Sequence, residues 1–373
     1  MTEPGRLLPA VANALGRRAR LIALRLLIAA SVSGLVFAGV FTLTSGAARR
    51  PASTTTSSST ATSTTTTQPP PVADPSSPAR IVTPGEDVPT PFVLVEQGWY
   101  FMYAIKGAFG RGGQVVVQVS PDFAHWGPSV VALPVPPAWA APNGAWAPDV
   151  QHIHGHYVLY FTAPLKDRPS PTQCIGAAIA SSPLGPFVPL EQTLVCQLDH
   201  LGSIDPRAFA DADGTLWLHW KSDDNADTEG TSHTAIYAQR LSIDGLSLID
   251  QPTVILTADQ PWEGRIVESE QMVLENGRYW LFYSGNWYNQ PSYAIGVAAC
   301  MGPAGPCTKP YPLPFLRSNA QGAGPGEESL FMDPNGTWMV YAPLAVHYRT
   351  PTTRPVALAH IGFNASGPYL AAL

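Results

Sequence analysis

A glycine followed by an aromatic-rich segment occurs five times in the second part of the chain. The segments are WYFMY after Gly98, HYVLYFT after Gly155, TLWLHW after Gly214, RYWLFYS after Gly277 and TWMVY after Gly336. Successive glycines are 57, 59, 63 and 59 residues apart. A nearly fixed period of this length indicates a repeat architecture, in which each unit buries its apolar faces against its neighbours.

Each repeat contains further short apolar segments in the same order. One precedes the glycine and another follows the aromatic segment, as QMVLE and YAIGVAA do on either side of Gly277. Short segments bounded by Gly, Pro, Asn and Asp are typical of strands, and no amphipathic helix separates them. Small sheets of this kind, repeated at a long period, fit the blades of a propeller. We therefore predict an all-β fold, a five-bladed β-propeller over residues 81–373.

The first 50 residues differ from the rest in charge. They hold seven Arg and one acid, Glu3, for a net charge of +6, so the remainder of this −6 chain carries −12. Residues 26–48 form a run of 23 residues without a charge, long enough for a helix to cross a bilayer. Five Arg precede the run and two follow it, which predicts a single-pass cell-membrane protein with a cytoplasmic amino terminus. The alternative is a cleaved signal peptide ending near SGAA, which gives a secreted protein.

The segment between this apolar run and the propeller cannot form a core. Ser, Thr and Pro supply 22 of the 28 residues in 51–78. Such a composition predicts a disordered linker. The predicted domains are a cytoplasmic basic segment (1–25), a transmembrane signal anchor (26–48), the linker (49–80) and an extracytoplasmic propeller (81–373).

The four cysteines all lie in the predicted exported part, and none forms a C-x-x-C pair. Disulfides are therefore expected rather than a zinc site. Of the three possible pairings, proximity in sequence favours Cys174 with Cys196 and Cys300 with Cys307.

The composition also limits the partners of the chain. Only 13% of residues are charged, and Lys and Arg are too few to neutralise nucleic-acid phosphates. We expect no nucleic acid, no cofactor and no metal ion, and a monomer attached to the membrane through its amino-terminal helix.

In four of the five repeats an acidic residue precedes the repeated glycine by a similar distance, and in the first repeat a threonine does so. The innermost strand of each blade borders the central channel, so residues that begin these strands converge there. These residues are Thr90, Asp149, Asp205, Glu268 and the pair Glu327 and Glu328. Carboxylates in one cleft raise each other's pKa, which allows one of them to stay protonated as a general acid. Glycoside hydrolysis uses such an acid together with a second carboxylate that activates water.

Several of these segments resemble motifs of the family 43 glycoside hydrolases, the five-bladed arabinanases, arabinofuranosidases and xylosidases. They are WAPDV, SIDPRAFADADGTLWL, VESEQMV and GAGPGEESLF. The resemblance implies that Glu268 is the general acid of an inverting hydrolase and that Asp205 orients this acid and raises its pKa. It also implies that Asp149 contacts a sugar hydroxyl. The implied substrate is a pentose-containing polysaccharide or oligosaccharide of the arabinan or xylan type.

One position departs from the family pattern. The family's first blade begins with an Asp-Pro step that carries the general base, and the matching step here is Thr90-Pro91. A Thr hydroxyl is far too weak a base, so Thr90 is expected only to face the substrate. Either the base has moved, with Asp87 and Asp149 as nearby candidates, or hydrolysis is impaired.

The remaining candidates are aromatic and acidic residues near these motifs. Trp146 and Trp287 lie beside acidic segments, and their ring faces suit stacking on sugars. Glu327 and Glu328 are interpreted as charges at a blade edge. Three hypotheses follow, namely a tethered glycosidase, a catalytically impaired glycan-binding relative, and a protein-interaction propeller displayed on a stalk.

Overall fold

The computed structural model describes residues 80–83, 87–106, 113–142, 144–168, 172–227, 229–319, 322–344 and 354–372. The predicted cytoplasmic segment, transmembrane helix and linker lie outside these residues. Within the described ranges, no helix has the length and apolar character needed to cross a membrane.

The described chain folds into five antiparallel sheets, which are the blades of a propeller. Blade I contains β2 (Phe92–Glu96), β3 (Trp99–Lys106), β4 (Gln114–Ser120) and β5 (Val130–Val131). Blade II contains β6 (Trp146–Ile153), β7 (His156–Pro164), β8 (Gln173–Ala180) and β9 (Val188–Pro189). Blade III contains β10 (Ser203–Ala210), β11 (Leu216–Ser222), β12 (Ala235–Leu241) and β13 (Leu248–Thr257). Blade IV contains β14 (Val267–Glu275), β15 (Arg278–Gly285), β16 (Ala294–Cys300) and β17 (Cys307–Thr308).

Blade V is assembled from both ends of the described chain. It contains β18 (Ser329–Asp333), β19 (Gly336–Tyr341), β20 (Ala357–Asn364) and β21 (Gly367–Ala371), together with β1 (Arg80–Ile81). Both β1 and β21 pair with the outer edge of β20. Among the innermost strands, β18 contacts β2 as well as β14, so the ring closes between blades V and I. The predicted all-β five-bladed propeller is confirmed, whereas the pairing of β1 with β20 was not predicted.

The repeated glycine lies in the turn between the first and second strand in blades I to IV, whereas Gly336 is the first residue of β19 in blade V. Its φ is 80° at Gly98, 81° at Gly155 and 72° at Gly277, and the residue before each of these three also has a positive φ. Two successive positive φ angles define the tight hairpin turn that matches the twist of antiparallel strands. A Cβ added at any of these three glycines meets nothing within 4 Å, so the backbone angle, not space, requires glycine.

The aromatic segments form the second strand of each blade, and their side chains fill the space between blades. Five buried apolar clusters result, one for each pair of neighbouring blades. Between blades II and III, for example, Tyr160 and Ile175 pack with Leu218 and Trp220. Each blade therefore buries both faces, which explains the weak alternation of polar residues in these strands.

Both predicted disulfides are present. Cys174 pairs with Cys196, and Cys300 pairs with Cys307. The first joins β8 to the chain that leads into blade III, and the second joins β16 to β17 within blade IV.

One residue at the start of each innermost strand has a left-handed backbone. These five residues, here called the axial ring, are Thr90 (φ 52°), Ala147 (48°), Asp205 (57°), Ser269 (53°) and Glu327 (56°). The pairing register shifts at this point in blades II, III and IV. A positive φ is uncommon for residues other than glycine, and five such residues at matching places define equivalent positions in the five blades.

Candidate active site

Three carboxyl groups meet around the axial ring. Asp205 is an axial-ring residue of blade III, Glu268 immediately precedes the ring residue of blade IV, and Glu327 is the ring residue of blade V. Their exposed fractions are 3%, 7% and 4%. Side chains from three blades thus lie together in a nearly dry environment, as the sequence predicted for Asp205 and Glu268.

Asp205 is held by contacts with both neighbouring blades. Its backbone N–H donates to Oγ1 of Thr162 in blade II at 3.0 Å, and its Oδ2 accepts from the N–H of Ser269 in blade IV at 3.3 Å. Burial raises the pKa of Asp205 well above its usual range, and the nearby Glu327 and Glu268 raise it further. Asp205 therefore lies beside the residue that follows Glu268.

Glu268 is fixed through both carboxylate oxygens. Oε2 accepts from Nζ of Lys221 at 2.7 Å, and Oε1 accepts from the Tyr293 hydroxyl at 2.7 Å. Lys221 is itself buried, with 1% exposure. Burial lowers the pKa of Lys221, but the carboxylates of Glu268, Asp223 and Asp205 outweigh this effect, so the net shift is upward.

The register of the sheets explains how Lys221 reaches Glu268. Lys221 pairs with Ile204, the residue before the axial ring of blade III. Thr162 and Ser284 occupy the same place in blades II and IV, and each hydroxyl accepts from the N–H of the ring residue in the next blade. In blade III the longer Lys221 side chain instead contacts the Glu268 side chain of the next blade. Sequence reasoning missed Lys221, although it is the single charged residue in the buried strand LWLHWKS.

Asp149 lies deeper than the three gathered carboxyls. It is fully buried, and its Oδ1 accepts from the Gln151 amide at 2.8 Å. Burial raises the pKa of Asp149 to about 6, against the opposing effect of the Arg207 guanidinium. Arg207 also donates to the Pro148 carbonyl at 2.8 Å, which joins blades II and III. The predicted contact of Asp149 with a sugar hydroxyl stays a prediction.

Thr90 occupies the same axial-ring position as Asp205. It is fully buried, and its Oγ1 has no hydrogen-bond partner among the described residues. Asp87, one of the two alternative bases, is exposed, and its Oδ1 accepts from the N–H of Arg354 at 2.9 Å. The structure therefore places a hydroxyl rather than a carboxylate at the ring position of blade I.

The interpretation of Glu327 and Glu328 as blade-edge charges is wrong. Both are buried at the axis because the irregular chain before β18 turns inward at Glu327. Glu327 accepts from the Ser269 hydroxyl at 3.1 Å, and Glu328 accepts from the Ser284 hydroxyl at 2.5 Å. Glu270 occupies the position in blade IV that Glu328 has in blade V, and it is also fully buried. Nothing in the local sequence distinguishes these acids from exposed ones.

The two predicted sugar-stacking residues differ in exposure. Trp287 follows β15 at the end of blade IV where the axial ring lies, and it is 38% exposed. The Arg265 guanidinium lies 5.3 Å from the centre of its ring, so one face of the indole is covered. Trp146 is buried and donates to the Gln173 side chain at 2.7 Å. Contact with a sugar stays a prediction for both.

The buried acids make the stability of the propeller sensitive to pH. Burial raises the pKa of Glu328 to about 8 from a usual value near 4.5. A raised carboxyl pKa means that folding favours the protonated form, so this contribution to stability is complete below about pH 4.5 and is lost progressively as the pH rises to about 8. Glu328→Gln imitates the protonated group, and we expect it to reduce the loss of stability between pH 5 and pH 8 by a few kcal/mol.

The measurement is urea denaturation of the full chain and of the variant across this pH range. The pKa values of Asp205, Glu270 and Glu327 are also raised, so the fall of the unfolding free energy with pH should become less steep in Glu328→Gln but not disappear. Glu191→Gln, at an exposed position, serves as the control and leaves the slope unchanged. Equal slopes for Glu328→Gln and the parent protein contradict the protonated state assigned to Glu328.

The described residues contain no group of three or more His, Cys, Asp or Glu placed to hold a metal ion. What the site offers is proton chemistry, since it combines closely spaced carboxyls, one buried ammonium and a phenol. A propeller with such groups at one end of its axis has the components that glycosidases use.

The sequence matches the family model of the glycosyl hydrolases family 43 over residues 80–369. The chain therefore belongs to glycosyl hydrolase family 43. The match covers blades I to IV and blade V as far as residue 369 within β21, and it includes the segments that carry Asp205, Glu268 and Glu327.

Curated relatives and solved structures agree with this membership. A xylosidase/arabinosidase of Bacteroides ovatus is 28% identical over 194 residues, which are 46% of this chain and 56% of that protein. A beta-D-galactofuranosidase of Aspergillus niger is 27% identical over 270 residues, 67% of this chain and 72% of that protein. A relative from Xylanibacter ruminicola is matched over only 35% of its length. The chain thus spans about a third to about half of the length of two of these relatives.

Two solved structures show how closely the fold is shared. A thermostable family 43 glycoside hydrolase has a TM-score of 0.68 and 26% identity, with 78% of this chain and 95% of that chain covered. An alpha-L-arabinofuranosidase from Lactobacillus brevis has a TM-score of 0.64 at 17% identity, with 77% and 94% covered, and shows the fold alone.

Proposed function

We propose that this protein is a glycoside hydrolase that cleaves pentose-containing polysaccharides of the arabinan or xylan type with inversion at the anomeric carbon. The observation that carries the proposal is the meeting of Asp205 and Glu268 at the axial ring, where the Asp205 carboxylate contacts the N–H of Ser269. The names of relatives, a xylosidase/arabinosidase among them, support the choice of substrate.

In this proposal Glu268 gives a proton to the oxygen of the departing sugar. The carboxylate that results is stabilised at once by the Lys221 ammonium and the Tyr293 hydroxyl, each 2.7 Å away. Stabilisation of the product of proton transfer lowers the barrier for the leaving group. Asp205 accepts from the N–H of Ser269, the residue directly after Glu268, at 3.3 Å, and so helps to position this acid.

A second candidate function is glycan binding without hydrolysis. It is favoured by Thr90, which has the backbone position of Asp205 in blade I but no carboxylate. In that case the half-exposed Trp287 and the buried acids would bind the glycan without cleaving it.

We further propose that residues 26–48 anchor the protein in the cell membrane, with the propeller outside the cytoplasm and acting as a monomer. The support is the charge-free run of 23 residues and its flanking Arg residues. Carbonate extraction of membranes followed by protease treatment of intact cells tests the anchor and its orientation.

The function is tested with the full chain on a panel of arabinan, arabinogalactan and xylan, measured for both binding and release of reducing sugar. Release of reducing sugar is the expected result. Binding without release favours the impaired relative, and absence of both contradicts any carbohydrate function of the site. Proton NMR of the first product gives the anomeric configuration, and retention of configuration contradicts the inverting mechanism.

A further inference from the structure

We infer that Glu327 is the general base that activates the attacking water. This inference rests on the proposed hydrolase function. An inverting hydrolase needs a second carboxylate besides the acid, placed so that a water molecule fits between it and the anomeric carbon. Thr90 cannot fill this role, because a hydroxyl does not take a proton from water near neutral pH.

Glu327 has the backbone position that the ring offers for such a group. It is the axial-ring residue of blade V, equivalent to Asp205 in blade III and Thr90 in blade I. Since β18 contacts both β14 and β2, Glu327 lies between the blade that supplies Glu268 and the blade that supplies Thr90. A carboxylate is thus present one blade away from the position where Thr90 lacks one.

The contacts of Glu327 orient its carboxylate and leave one oxygen available. Its N–H donates to the Ser284 hydroxyl at 3.0 Å, and its Oε2 accepts from the Ser269 hydroxyl at 3.1 Å. Oε1 takes no hydrogen bond from the part of the chain that the structure describes. Ser269 also contacts Asp205 through its N–H at 3.3 Å, so a single residue links the two carboxyls.

The other acids near the axis are less suited to meet a water molecule. Asp149, Glu270 and Glu328 have no exposed surface at all, whereas Glu327 keeps 4%, comparable to Asp205 and Glu268. Asp87 is exposed and bonded to the backbone of Arg354. Burial and the nearby Glu268 also raise the pKa of Glu327, which makes it a stronger base than an ordinary glutamate.

The reaction balances with these two groups. Glu327 takes a proton from water while the water oxygen forms a bond to the anomeric carbon. The bond between that carbon and the departing oxygen breaks, and this oxygen receives the proton of Glu268. Glycoside and water give a free reducing sugar and an alcohol, with Glu327 now protonated and Glu268 ionised. Transfer of one proton through solvent restores the starting state.

Chemical rescue by azide distinguishes a base from a structural residue. The full chain and its Glu327→Gly variant are assayed with a nitrophenyl pentoside that the parent protein cleaves, because this leaving group needs little help from an acid. We expect Glu327→Gly to lose about 10²- to 10⁴-fold in kcat. Azide, which attacks without needing a base, should restore turnover in proportion to its concentration and yield a glycosyl azide of inverted configuration.

Glu191→Gly is the control, since it removes a carboxyl at an exposed position. It should keep turnover without azide and show no azide product. Circular dichroism and Glu327→Gln, which preserves side-chain volume, separate a lost base from a lost fold. Full activity of Glu327→Gln, or a folded Glu327→Gly that azide does not rescue, overturns the assignment of Glu327 alone. A parent protein that cleaves no glycoside overturns the hydrolase function and this assignment with it.

Discussion

Glu268→Gln lowers kcat on xylo- or arabino-oligosaccharides by about 10²- to 10⁴-fold, the usual contribution of a general acid. Gln has the shape of Glu but no proton to give, and the sugar oxygen of a natural substrate is a poor leaving group. The variant should still bind substrate, because the amide oxygen of Gln can accept from Lys221 while its NH2 group can donate to the Tyr293 hydroxyl oxygen. Initial rates and isothermal titration calorimetry measure the two effects separately.

The dependence on leaving group makes this result specific. Loss of a proton donor matters less for a nitrophenyl glycoside, so kcat on that substrate should fall far less than on oligosaccharides. Glu275→Gln, at the opposite end of β14, is the matched control and should leave both rates unchanged. An equal loss on both substrates contradicts the role of Glu268 as the acid and indicates a general disturbance of the site.

Lys221→Met lowers the free energy of unfolding by about 3–5 kcal/mol, the usual effect of breaking a buried ion pair. The ammonium of Lys221 is the charge partner of Glu268 at 2.7 Å, and their side chains are 1% and 9% exposed. Without it the acids near Lys221, which include Asp205 and Asp223, repel one another in a medium that water scarcely reaches. Urea denaturation of the full chain measures the change.

A second substitution tests the cause of this loss. In Lys221→Met with Glu268→Gln, the charge left unpaired by the first change is gone, so most of the lost stability should return. Arg240→Met breaks an ion pair with Asp250 whose side chains are 44% and 63% exposed, and should change stability by about 0–1 kcal/mol. If the double variant is as unstable as Lys221→Met, lost packing rather than lost pairing is the cause.

The blades were predictable because their signal is local and repeated. The turn glycines need a positive φ, and the aromatic strands need two apolar faces, so each repeat shows both features in a few consecutive residues. Cysteine spacing was similarly informative, since each bridge lies within or next to one blade. Asp205 and Glu268 were predicted to lie together because they begin such repeats in segments that resemble family motifs, while their catalytic roles stay predictions.

The features that were missed depend on contacts between distant residues. The pairing of β1 with β20 joins Arg80 to Leu358, and no local pattern shows it. The contact of Lys221 with Glu268 depends on the side-chain direction set by the sheet register. Glu327 looks like an exposed acid in sequence, because only its left-handed backbone turns it toward the axis. The sequence shows which residues are acidic or basic, but how far each side chain is buried depends on how the five blades pack together.

The axial ring provides five backbone positions of the same conformation, one in each blade. The backbone has the same left-handed conformation at each position, whether the residue is Thr, Ala, Asp, Ser or Glu. A single substitution can therefore add or remove a reactive side chain without a change in the strand. A catalytic group can therefore move from one blade to its neighbour during evolution. In the assignment we propose, Thr90 of blade I lacks a carboxylate and Glu327 of blade V supplies one.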